Sequence, residues 1–132
     1  MPRTRLVSYR EGDTVPVRDW LDSLPRKAQA KCQTYLMLLG EFGYELKRPV
    51  ADYLRDGIHE LRASYQGVHY RILYFFASEG RKTAEEARIV VLSHGLMKEQ
   101  TVPSSEIDRA VKGKLRFEAD PERHTYDPRE RR

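Results

Sequence analysis

The sequence predicts an α+β fold: a strand, two helices, a group of three strands and a closing helix. Two observations carry that prediction. Apolar residues recur at helical spacing over 17–24, 28–39 and 107–115. Residues 58–76 and 89–92 instead hold dense runs of β-branched and aromatic residues, the first divided by Gln66-Gly67.

The elements follow in order. "RLVSYR" alternates and predicts a short strand around Leu6 to Tyr9. "EGDT" reads as a turn, with Asp13 or Thr14 placed to cap a helix. Val17, Trp20, Leu21 and Leu24 then lie on one helical face. Pro25 ends that helix or opens the next, since a first turn tolerates proline. In the second helix Ala28, Cys32, Tyr35, Leu36 and Leu39 form the stripe, and Gly40 or Gly43 ends it. "YELKRPVADYLRDG" reads as a connection closing on Asp56-Gly57. The strand-rich stretch 58–76 reads as a hairpin, and "ASEGRKTAEEA" as a polar loop. Ile89 to Leu92 form the clearest buried strand. A last helix starts near Pro103-Ser104, with Ile107, Ala110, Val111 and Leu115 as its apolar face.

The 132 residues fit one domain with one modest core, assigned to 1–117, followed by a charged tail at 118–132 that is expected to fray. Net charge is +4. The tail holds five acids and four arginines, so the body keeps 20 basic against 15 acidic residues. The basic excess, led by arginine, favours a polyanionic partner. The single cysteine, Cys32, excludes an internal disulfide and suits a reducing cytoplasm. No Cys/His cluster suggests a metal, and no apolar run suggests a signal core or a membrane span.

The hairpin poses a question. A two- or four-residue loop at Gln66-Gly67 sets Arg62 opposite Arg71, Ser64 opposite His69 and Glu60 opposite Leu73 on one face. The other face carries Leu61, Ala63, Tyr70, Ile72, Tyr74 and Phe76 and should pack on the helices. Like charges opposite each other cost stability. Either Glu60, diagonal to Arg71, neutralises the pair in a surface network, or the two guanidinium groups form an exposed platform for a phosphate. His94 and Lys98 at the end of the buried strand are further candidates, with Gly95 allowing a backbone turn. His69 reads as a solvent-exposed, weaker candidate for RNA contact. Lys47 and Arg48 read as a solvated loop or as contacts to an RNA backbone. Tyr70, Tyr74, Phe75 and Phe76 suit base stacking, but strand alternation makes most of them core.

"LRDGIHELR", "YRILYFF" and "VVLSHGLMKEQTVPSSEIDRA" together resemble the RelE/HigB-like toxins of type II toxin–antitoxin systems, in their phage-derived HigB-type branch. The resemblance runs from the first strand through the last helix. It implies a RelE-like fold: a small antiparallel sheet packed against an N-terminal helical hairpin, with a C-terminal helix. It implies a cytoplasmic mRNA endonuclease that acts on the translating ribosome, and a cognate antitoxin of helix-turn-helix type. Matched motif by motif, it implies functional roles for Arg62 in Glu-Leu-Arg, Arg71 in Tyr-Arg, His94 in His-Gly and Lys98. The chain departs from the branch at Glu99, where a second lysine is common.

The expected reaction is metal-independent and cofactor-free: in-line attack of a ribose 2′-OH on the adjacent phosphate. Arg62 and Arg71 would stabilise charge, and His94 or Lys98 would position groups or move protons. Two other readings keep the basic fold. One is a toxin that binds a protein target, as gyrase poisons do. The other is an RNA-binding module that does not cut.

Overall fold

The structure, a computed structural model, describes residues 4–77, 89–97 and 101–128. Its elements are β1 (Arg5–Tyr9), α1 (Pro16–Asp22), α2 (Arg26–Phe42), β2 (Ala51–Arg55), β3 (Ile58–Tyr65), β4 (Val68–Ala77), β5 (Ile89–Met97), α3 (Ser104–Ala119) and β6 (Thr125–Tyr126). The strands form one sheet in the order β2-β3-β4-β5-β1-β6. Neighbours are antiparallel except β1 and β5, which run parallel with Leu6 beside Val90 and Val7 beside Val91. The α+β class holds, with this one parallel pair added to the expected antiparallel sheet.

Strand alternation divides the core in two. On one face the α1–α2 hairpin covers Leu61, Ala63, Tyr70, Ile72, Tyr74, Val90 and Leu92. On the other, α3 covers Val7, Ile58, Leu73, Phe75 and Val91, with Phe75 and Phe117 meeting edge to face at 5.6 Å. The stripe of α2 is Ala28, Cys32, Leu36 and Leu39, as the spacing predicts, with Tyr35 only partly buried. Gly43, at φ +54°, ends this helix, and Gly40 lies inside it.

Four local expectations change. Neither Asp13 nor Thr14 caps α1; Val15 precedes the helix and Pro16 opens it, while Thr14 bridges Glu11. The connection before Asp56-Gly57 contains β2, which completes a second hairpin with β3. Leu115 is exposed, because α3 turns Ile107, Ala110, Gly113 and Phe117 inward. Of the segment expected to fray, residues 118–128 are instead docked: α3 runs to Ala119 and β6 pairs with β1. Buried Asp127 receives the Arg5 guanidinium there, at 2.6 and 2.8 Å. The polar loop predicted after Ala77 lies almost wholly outside the described residues.

Candidate phosphate-binding site

The β3–β4 hairpin turns on two residues, Gln66 at φ +50° and Gly67 at φ +79°, with Tyr65 paired to Val68. Two consecutive positive φ values match the right-handed twist of the strands, and glycine adopts its value without strain. That loop length sets the register. Arg62 lies opposite Arg71, Glu60 opposite Leu73 and Ser64 opposite His69. β2 adds Asp52 opposite Glu60 on the same face.

These side chains form a chain of alternating charge. Arg71 Nη1 donates to Glu60 Oε1 at 2.7 Å. Arg62 Nε and Nη2 donate to the other oxygen, Oε2, at 3.1 and 2.9 Å. Arg62 Nη2 also reaches Asp52 Oδ2 at 3.4 Å, and Arg48 Nε meets the same atom at 3.0 Å. The hydrogen bond from Arg48, with its positive charge, holds the Asp52 carboxyl below its usual range. Among the described residues, three guanidinium groups share two carboxylates.

The expected exposed platform is therefore half sealed. The side chains of Glu60 and Arg71 are 4% and 10% exposed, because an ion pair this deep needs both members. Arg62 is 37% exposed, and its Nη1 has no partner among the described residues. Arg48 is 76% exposed and engages Asp52 through Nε, and its terminal nitrogens have no partner among the described residues. The donors open to an anion are thus on Arg62 and Arg48, with Arg71 behind them.

His94 shares a sheet face with Arg71 but not its surroundings. It lies opposite Leu73, beside a register shift in β4–β5, and is buried. Ser93 Oγ meets its Nδ1 at 2.8 Å, and Glu106 Oε1 of α3 meets its Nε2 at 2.8 Å. Burial, with the Arg109 charge nearby, lowers its pKa against the pull of Glu106. Its neighbours in a pocket of about 260 Å³ include Tyr9, Arg109 and Arg116, none of them in the arginine network. Through Glu106, His94 ties β5 to α3.

The remaining candidates scatter. His69 is exposed near the hairpin turn, opposite Ser64. Lys47 is exposed, with Nζ 5.9 Å from the Tyr44 ring centre. Lys98 and Glu99 lie outside the described residues. Asp52 escaped sequence reasoning because its segment read as a connection. Its spacing from Arg48 at i, i+4 was the available signal. Among the described residues, no group of three or more His, Cys, Asp or Glu side chains is placed to hold a metal ion. Among them too, no helix is long and apolar enough to cross a membrane.

Residues 19–114 match the family model described as Phage derived protein Gp49-like (DUF891). The match begins within α1, includes the arginine network and takes in most of α3. No curated protein matches the chain.

Proposed function

The chain belongs to the phage-derived Gp49-like family, toxin-like proteins of toxin–antitoxin systems, and from that premise we propose that it is a toxin that cuts RNA. The observation that supports this reading is the Arg48–Asp52–Arg62–Glu60–Arg71 chain, in which the described residues set three guanidinium groups against two carboxylates and Arg48 and Arg62 stay partly or largely exposed. Such an array suits a phosphodiester, whose non-bridging oxygens accept paired N–H donors.

In this reading the ribose 2′-oxygen attacks the adjacent phosphorus in line and the P–O5′ bond breaks. The 2′-hydroxyl proton passes to a base, and the departing 5′-oxygen takes up a proton. The products are a 2′,3′-cyclic phosphate and a free 5′-hydroxyl. Arg62 Nη1 and the terminal nitrogens of Arg48 meet the phosphate oxygens as negative charge grows. Arg71 is a positioning residue: it holds Glu60, and Glu60 orients Arg62. Proton transfer falls to Lys98 through its resemblance to the RelE/HigB pattern. The substrate is mRNA on the ribosome, and the inhibitor is a cognate helix-turn-helix antitoxin encoded nearby.

The test is to map RNA 5′-hydroxyl ends in cells after induction of the wild type and of Arg62→Ala. New ends in the wild type that vanish in a folded Arg62→Ala protein support the proposal. Intact transcripts with damaged DNA would move the target to gyrase. Salt-sensitive RNA binding without new ends would reduce the protein to a binding module.

A further inference from the structure

At the free edge of the sheet, β2 and β3 border a cleft of about 870 Å³. That is large enough for a small-molecule or nucleotide ligand. Its rings come from three strands and the short 3-10 turn Gly43–Glu45. His59 is at the centre: it stacks on Tyr74 at 5.2 Å and 16°, and meets Phe76 and Tyr53 edge-on at 5.1 and 5.0 Å. Tyr44 closes the group against Phe76 at 5.4 Å. Tyr74 is buried, but Tyr53 is 55% exposed, and its ring meets only the edge geometry of His59. Among the described residues no strand covers this edge, which presents an exposed tyrosine, a half-exposed Tyr44 and a neighbouring histidine. Flat ligands gain from them, since every nucleobase offers a π face.

The rim is basic. Lys47, Arg48 and Lys114 line the cleft, against Asp52 and Glu118. Lys114 is paired with Glu118 at 3.1 Å, whereas the terminal nitrogens of Arg48 have no partner among the described residues and Lys47 sits above the Tyr44 ring. Arg48 and Asp52 also belong to the arginine network, so cleft and network meet at one ion pair. A polymer that alternates phosphates with aromatic bases fits that layout, phosphate on the arginines and base among the rings.

We propose that this cleft is a nucleobase subsite, in which a base flanking the phosphate held at Arg62 and Arg48 stacks on Tyr53 while Lys47 takes its own phosphate. The choice of a base over other flat ligands rests on the RNA reading above. His59 supplies a polar edge on the cleft floor, and burial keeps its ring uncharged at neutral pH. The Tyr53 hydroxyl accepts a hydrogen bond from Gly57 N–H at 3.0 Å, which fixes the ring at the cleft mouth.

The experiment titrates AMP, GMP, CMP and UMP, with ribose 5-phosphate as the base-free control, into the full chain, followed by amide chemical shifts. The proposal expects at least one nucleotide to bind and to move amides of β2 and β3. It expects Tyr53→Ala to weaken that binding roughly five- to hundredfold, and Tyr53→Phe to retain it. No nucleotide binding, equal binding by ribose 5-phosphate, or an unchanged affinity in folded Tyr53→Ala would each overturn the subsite, whether or not the protein cuts RNA. Nucleotide binding that depends on Tyr53, in a protein that leaves RNA uncut, would sustain the subsite and sink the nuclease reading instead.

Discussion

Arg62 and Arg71 face each other across the β3–β4 ladder, and each takes a different oxygen of the same buried carboxylate, Glu60. One acid resolves a like-charge pairing that would otherwise oppose the hairpin register. The asymmetry of burial then assigns different work to the two arginines.

Glu60 should be the most sensitive residue of the network in stability. Glu60→Gln would turn an amide N–H toward a guanidinium and leave Arg71 buried without its carboxylate. Breaking a buried pair from one side costs about 3–5 kcal/mol, so urea unfolding should show a loss of that order. Adding Arg71→Met to Glu60→Leu should return much of it, because both desolvated charges are then gone. A Glu60→Gln protein as stable as wild type would show that the pair contributes nothing.

Arg62→Ala and Arg71→Ala should separate chemistry from folding. Arg62 is partly exposed, so its removal should change stability little and lower the rate of RNA cleavage by roughly a hundredfold to a thousandfold. Arg71→Ala should lower both, since it removes one of the two guanidinium partners of buried Glu60. Cleavage assays with purified protein on ribosome-bound mRNA, at a temperature where both variants remain folded, decide this. Equal stability of the two, or full activity of Arg62→Ala, would contradict the assignment.

Much of this architecture was legible in the residues. Gln66-Gly67 set the loop length, and the side-chain period of two then placed Arg62 opposite Arg71 and sorted the two faces. The competing reading of a Glu60-neutralised pair was open from the same register. What the sequence could not reveal was depth. Alternation says which residues share a face, not that α3 would come back over Leu73 and Phe75 and leave Arg71 buried. β2 was hidden because Pro49 and Asp56-Gly57 crowd a five-residue strand with turn signals. β6 was hidden because its docking depends on Arg5 reaching Asp127 from 122 positions away.

The His59 ring should make the protein sensitive to mild acid. Burial lowers its pKa from 6.5 to about 4, against a smaller opposing pull from Asp52. A depressed folded-state pKa means that the unfolded chain binds the proton first. The stability this group contributes is therefore complete above about pH 6.5 and is lost as pH falls toward 4. His94, also lowered, adds in the same direction. His59→Phe should flatten the fall in urea-unfolding free energy over that window by about 2 kcal/mol. An identical pH profile in wild type and variant would refute it.

Asp127 should hold the C-terminal segment to the sheet. Its side chain is buried under the Arg5 guanidinium, beside the two-residue pairing of β6 with β1. Charge-assisted hydrogen bonds contribute about 1.5–3 kcal/mol, so Asp127→Ala should lower stability by about 2 kcal/mol. It should also expose residues 120–128 to limited proteolysis while the rest of the chain resists. Unchanged proteolysis would show that the segment is held by other contacts.

Gly95 carries the last prediction. Read from sequence, it allowed a turn after His94; in the structure it lies within β5, opposite Ile72. Its purpose there is room. A Cβ built at this position would overlap Cε3 and Cδ2 of Trp20, so the indole of α1 rests directly on the strand backbone. Trp20 also meets Tyr70 edge-on at 6.1 Å, which limits where the ring can go. Gly95→Ala must push the indole away, and overpacking of this kind costs about 1–3 kcal/mol. Because Trp20 is the chain's single tryptophan, its fluorescence reports the displacement: emission should shift to longer wavelength as the ring gains water. Gly95→Ala with Trp20→Leu should recover part of the loss by removing the clash. Unchanged emission and stability in Gly95→Ala would mean that α1 does not sit on β5 as described.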